Sequence, residues 1–178
     1  MRSKAAKLAE ELIRLYDTRD PFRLASYLDI AVKYINTKRQ KGFCVIFEGL
    51  PFIFVNRNMS EQMQRMICAH ELGHILLHKD VLSGNRPLLE YELFNIQNSA
   101  EYEANAFAAD LLIRKAELRE LLNEGTDVVS AASCLDVNVN LLMIRMIEMQ
   151  KEGETIDLPF VPERKFLGRI RDDAGDLR

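Results

Sequence analysis

The sequence lacks an apolar run long enough to cross a lipid bilayer. Its apolar runs, such as residues 52–55, are far shorter than a spanning helix, which needs about 20 residues. The first residues carry charges at Arg2, Lys4 and Lys7 and contain no unbroken apolar stretch, which predicts that no signal peptide is present. We therefore expect no membrane association.

An excess of positive charge is also absent. The 178 residues include 24 Lys or Arg and 27 Asp or Glu, which gives a formal net charge of -3. A protein that coats nucleic acid or an anionic surface would be basic, because it has to neutralise phosphate groups. The composition therefore predicts no direct nucleic-acid binding.

Cysteine is scarce. The three cysteines, Cys44, Cys68 and Cys134, are an odd number at wide spacings, which does not fit a disulfide framework. Thiols that stay reduced are typical of proteins in a reducing compartment. The cysteine usage therefore predicts a cytoplasmic protein.

The apolar patterning predicts an α+β fold, in a chain whose hydrophobic content of 48% is sufficient for a core. Three β-rich runs, at 30–35, 43–47 and 51–55, predict a small antiparallel sheet of about three strands, with a tight hairpin between the last two. Such a sheet is too small to be stable alone and must pack on helices. The predicted helices cover 4–16, a short segment from Asp20, about 58–78 with Asn58 or Ser60 as the cap, 99–113, and parts of 115–152.

Composition also divides the chain into three parts. We expect a core formed by residues 1–114 and a helical C-terminal subdomain at 115–154, broken near Gly125. Residues 155–178 contain proline and glycine among mixed charges, which predicts an extended or mobile tail.

Two histidines, His70 and His74, lie four residues apart in the 58–78 helix. This spacing places them about 40° apart around the axis and roughly 6 Å apart along it, so both imidazoles can bind one metal ion. The helix is apolar on nearly every side, and buried histidines without a partner are costly. The pattern His-Glu-x-x-His on a helix is typical of zinc metallopeptidases, in which the glutamate, here Glu71, is the general base.

A catalytic zinc site needs a third protein ligand. His78 lies roughly 12 Å along the axis from His70 and Cys68 lies about 200° around it, so neither fits; we expect His78 at the exposed helix end. The remaining candidate for the third ligand is a carboxylate from the 99–113 helix. Glu101 shares a helix face with small residues and with Asn105, which can accept the N–H of a ligand imidazole. We choose Glu101 as the metal ligand and Asn105 as the outer-shell partner of a ligand imidazole, with Glu103 as the alternative ligand.

Segments 69–78 and 101–112 together resemble the ImmA/IrrE family of zinc metallopeptidases. The resemblance implies a zincin-like metallopeptidase core of the gluzincin type at 1–114, with Zn²⁺ bound by His70, His74 and Glu101 and with Glu71 as the catalytic residue. It also implies a substrate and partner. Relatives cleave a helix-turn-helix transcriptional repressor of a phage, mobile element or stress regulon at a single site and so relieve repression.

Other interpretations stay open at this point. The chain could be a non-catalytic module that binds a repressor or an antitoxin-like partner and holds a structural zinc. Residues 126–149 imitate a helix-turn-helix, but the second helix offers Arg145 as its main cation, and DNA reading needs several. The oxyanion donor could be Tyr91, Tyr102 or Arg86, and substrate could add to the strand just before the His helix.

Overall fold

The computed structural model describes residues 2–79 and 99–158. The α+β class, the three strands and the helical C-terminal part are confirmed. The 80–98 segment and most of the 155–178 tail lie outside the described residues, and the three-part division of the chain stays a prediction. The helices are α1 (Lys4–Tyr16), α2 (Pro21–Tyr27), α3 (Glu61–Leu77), α4 (Ser99–Leu112), α5 (Lys115–Asn123), α6 (Val128–Cys134) and α7 (Val139–Lys151); the strands are β1 (Ala31–Ile35), β2 (Gly42–Phe47) and β3 (Leu50–Asn56).

The sheet has β3 in the centre, between β1 and β2. Strands β2 and β3 form the predicted antiparallel hairpin, with Glu48 (φ 50°) and Gly49 (φ 79°) at its two-residue turn, where glycine adopts positive φ at no steric cost. Strand β1 pairs with β3 in the parallel direction. The prediction of a purely antiparallel sheet is therefore wrong, and the sheet is mixed.

The parallel pairing follows from the path of the connection at 36–41. This connection crosses the end of β3, so the chain re-enters the sheet on the far side as β2. The buried Asn56 side chain holds the crossing, because its Nδ2 donates to the carbonyl oxygens of Thr37 and Gln40, each at 2.7 Å. The apolar pattern of β1 is compatible with either direction, so the local sequence did not distinguish them.

Helix α3 is the central element of the core. Ser60 caps it, since its Oγ accepts from the Met63 backbone N–H at 3.2 Å. The helix packs on β2 and β3 on one side and on α4 on the other. At Gly73 an added Cβ would lie 3.0 Å from Ala104 Cα and 3.1 Å from Ala104 O, so glycine allows the backbones of α3 and α4 to meet.

Helix α7 packs on α4 and is buried along most of its length. Arg145 is 4% exposed, and its Nη1 lies 2.7 Å from Asp110 Oδ1 on α4. The main cation of the helix-turn-helix interpretation is therefore engaged inside the protein, away from any phosphate. Within the described ranges no single helix has the length and apolarity to cross a membrane, although α6 and α7, bent by 104°, pass that test as a pair.

Replacing Arg145 by methionine should lower the free energy of unfolding by about 3–5 kcal/mol, because a buried carboxylate then loses its partner. Burial already raises the pKa of Asp110 to about 6, against the opposing effect of Arg145. The double variant Arg145→Met with Asp110→Leu should recover most of the loss, since both charges of the pair are removed. The Glu152 carboxylate, 3.9 Å from Arg145 Nη1, keeps Lys115 Nζ as its partner at 2.7 Å. Urea denaturation of the variants measures both effects, and a double variant as unstable as the single one would contradict the prediction.

Candidate metal centre

Helices α3 and α4 bring three potential ligands together: His70, His74 and Glu101. The Nε2 atoms of the two histidines are 3.0 Å apart. Glu101 Oε2 lies 3.4 Å from His70 Nε2, and Glu101 Oε1 lies 3.1 Å from His74 Nε2. All three side chains are buried, so one carboxylate faces two imidazole nitrogens inside the protein.

The donor atoms of this group suit a metal ion such as zinc. The three candidate ligand atoms lie within 4.8 Å of one another, and imidazole nitrogen with carboxylate oxygen is a common zinc donor set. In the part of the chain that the structure describes, no fourth His, Cys, Asp or Glu joins the group. A buried carboxylate carries a desolvation cost that a bound cation would offset.

Asn105 contacts the His70 imidazole at Nδ1, the ring nitrogen that does not face Glu101. Its Oδ1 lies 2.8 Å from His70 Nδ1 and both groups are fully buried. With the amide oxygen as acceptor, Nδ1 carries the proton and Nε2 keeps a lone pair directed at Glu101. That tautomer is the one required for metal binding through Nε2.

His78 and Glu103 lie beside the group but not in it. His78 Nδ1 is 3.3 Å from His74 Nδ1, and His78 Nε2 is 3.3 Å from Glu103 Oε2. The expectation that His78 is exposed is wrong, because its side chain is 11% exposed between α3 and α4. Sequence reasoning missed this contact; the i, i+4 spacing of His74 and His78 was the available signal.

Glu71 points to the side of the group and toward β2. It is 2% exposed, and burial raises its pKa to about 7, with His70 and a hydrogen bond to the Cys44 thiol opposing the shift and Glu101 adding to it. Cys44 is fully buried on β2, and its contact with Glu71 was not foreseen. A carboxyl group with a pKa near 7 can both accept and return a proton at neutral pH.

Two of the open sequence hypotheses do not fit the structure. The Tyr102 hydroxyl donates to Glu148 Oε1 at 2.6 Å and accepts from Lys151 Nζ at 2.7 Å, so it faces α7 and does not serve as an oxyanion donor. Strand β3, just before the His helix, is central in the sheet and cannot receive a substrate strand. The other donor candidates, Arg86 and Tyr91, lie outside the described residues.

Comparison with known proteins assigns the chain to a family. The model of the Peptidase_M78 family, described as the IrrE N-terminal-like domain, matches residues 25–143, which include all of the candidate metal group. The chain is also 36% identical over 106 residues to "Uncharacterized immunity region protein 2" of Bacillus phage phi105, and the match covers 58% of this chain and 65% of that relative. The chain thus spans just under two thirds of the relative's length. The family match covers most of the chain and agrees with the ImmA/IrrE resemblance of its helices, and the protein therefore belongs to the Peptidase_M78 family of metallopeptidase-type proteins.

Proposed function

We propose that this protein is a zinc-dependent endopeptidase that cleaves a helix-turn-helix transcriptional repressor of a phage, mobile element or stress regulon, and so relieves repression. The observation that carries the proposal is the buried convergence of His70, His74 and Glu101, with Glu71 next to it. Membership of a peptidase family supports the reaction class. The similarity to a phage immunity-region protein supports the choice of a repressor as substrate.

In this proposal His70 and His74 would hold the zinc ion through Nε2, and Glu101 would hold it through its carboxylate, as in gluzincin-type sites. Bound zinc supplies Lewis-acid chemistry, since it polarises a carbonyl group and makes water acidic enough to attack at neutral pH. Asn105 keeps His70 in the binding tautomer, because its Oδ1 lies 2.8 Å from His70 Nδ1. The set of three described ligands favours a catalytic over a closed structural site.

Glu71 is the acid and base of the proposed reaction. Its carboxylate takes a proton from the attacking water while the oxygen forms a bond to the scissile carbonyl carbon. The same carboxyl group then gives that proton to the leaving nitrogen as the C–N bond breaks, which returns Glu71 to its starting state. A pKa near 7 suits both directions of this transfer.

We place the reaction in the cytoplasm. A transcriptional repressor acts on cellular DNA, so its protease has to reach it there. Cys44, Cys68 and Cys134 form no disulfide with one another, which agrees with a reducing compartment.

Removal of the metal should stop cleavage. The full chain is co-incubated with the helix-turn-helix repressor encoded nearest to its gene, and gel electrophoresis with mass spectrometry follows a single cut. We expect 1,10-phenanthroline to abolish the cut and added Zn²⁺ to restore it, because His70, His74 and Glu101 are not able to polarise a carbonyl alone. Continued cleavage by the chelated protein, with metal loss verified by elemental analysis, would exclude the proposed site.

A further inference from the structure

His78 and Glu103 have no role in the reaction proposed above, yet they lie directly behind one of its ligands. We propose that they are positioning residues for His74: Glu103 orients the His78 ring, and His78 Nδ1 accepts the Nδ1–H of His74. This arrangement leaves the Nε2 lone pair of His74 directed at Glu101 and the other imidazole. The inference rests on the proposed metal site and names the residues that support its second histidine.

The proton positions follow from the chemistry of the three groups. A carboxylate oxygen accepts hydrogen bonds, so the nitrogen 3.3 Å from Glu103 Oε2, His78 Nε2, carries a proton. In a neutral imidazole the other nitrogen, Nδ1, is then an acceptor. Its neighbour at 3.3 Å, His74 Nδ1, has to donate. His74 Nε2 is therefore unprotonated, as a metal ligand requires.

The same geometry excludes His78 as a further ligand. The His78 ring meets His74 at Nδ1, on the side of that ring opposite the Nε2 atom that faces the cluster. Its own second nitrogen is directed at Glu103. His78 thus contacts the Nδ1 side of His74, one helical turn further along α3, and not the Nε2 side that faces His70 and Glu101.

Each of the two candidate ligand histidines then has a hydrogen-bond partner at its Nδ1 atom. His70 Nδ1 has the Asn105 amide oxygen at 2.8 Å, and His74 Nδ1 has the His78 ring nitrogen at 3.3 Å. In both cases the support involves α4, since Asn105 and Glu103 belong to that helix. Outer-shell partners of this kind commonly fix the ring orientation and raise the basicity of metal-binding histidines.

The test compares His78→Ala with His78→Asn in the full chain, by competition for Zn²⁺ against a chromophoric chelator. The asparagine Oδ1 occupies the place of the histidine Nδ1 and keeps an acceptor. We expect His78→Ala to weaken zinc binding by about 10- to 100-fold and His78→Asn to stay within about 3-fold of the wild type, because the acceptor function is retained. Equal zinc affinity of all three proteins would overturn the inference, as would equal losses in the two variants. Circular dichroism verifies that the variants are folded.

Cobalt spectra separate positioning from ligation. The visible spectrum of the Co²⁺-loaded protein should keep its band positions and intensity in His78→Ala, since no ligand is removed; loss of a nitrogen ligand signature would show that His78 binds the metal and would overturn the proposal. Wild-type protein that binds no zinc would refute the proposed function itself. Wild-type binding with an unaffected His78→Ala variant refutes only the role of His78.

The role of Glu103 is tested in two backgrounds. Glu103→Ala should weaken zinc binding by about 3- to 10-fold in the wild-type background and have no effect in His78→Asn, because an asparagine has no nitrogen at the position of Nε2. An equal loss in both backgrounds would mean that Glu103 acts through its charge alone and would overturn its part of the proposal.

Discussion

Replacement of Glu71 by glutamine should lower the rate of repressor cleavage by about 10⁴-fold, the upper end of what acid–base catalysis contributes. Glutamine has the same size and can stay in the buried space beside Cys44, but its amide cannot accept a proton from water. His70, His74 and Glu101 are untouched, so zinc should remain bound at one ion per chain. Rates of cut-product formation and metal content by elemental analysis measure the two quantities.

A matched control for this variant is Glu61→Gln, which makes the same chemical change at an exposed position on the same helix. It should cleave at the wild-type rate. If Glu71→Gln continued to remove the repressor during co-expression while chelation stopped removal, another group would be the base. If repressor removal continued both in Glu71→Gln and after chelation, proteolysis by this site would be excluded and the peptidase proposal would be wrong.

Replacement of Glu101 by alanine should weaken zinc binding by more than about 100-fold, beyond the range of outer-shell substitutions. Its carboxylate is the one acidic group whose two oxygens lie 3.1 Å and 3.4 Å from the histidine Nε2 atoms in the described part of the chain. Competition titration with a chromophoric chelator measures the affinity.

Glu103→Ala is the comparison for that experiment, because it removes a carboxylate two residues away on the same helix. A loss of zinc affinity in Glu103→Ala that is smaller than the loss in Glu101→Ala would identify Glu101 as the ligand. The reverse order of effects would show that Glu103 binds the metal, which was the alternative left open by the sequence.

Local spacing explains which parts of this structure could be predicted from the sequence. The repeat of alanine and leucine at 4–16 defines α1, and Glu48–Gly49 defines the hairpin turn, since each depends on neighbouring residues only. His70 and His74 share a helix face for the same reason.

Contacts between distant segments account for the features of the structure that the sequence did not predict. The direction of β1 depends on Asn56 binding the 36–41 connection, and no local pattern in β1 encodes that contact. The proximity of His78 to Glu103 depends on the relative rotation of α3 and α4. The contact of Cys44 with Glu71 likewise depends on how β2 packs on α3.

The close approach of Gly73 to Ala104 fixes the spacing of α3 and α4, the two helices that carry His70, His74 and Glu101. An added Cβ at Gly73 would lie 3.0 Å from Ala104 Cα, so the main chains of α3 and α4 are in direct contact and the distance between the two helices does not depend on a side-chain rotamer at this point. The conformational entropy of arranging the ligands is lost when the protein folds, before an ion arrives. In the proposed zinc site an incoming ion would meet ligands that are already in position, and ions that prefer six or more oxygen ligands in wider geometries would be disfavoured.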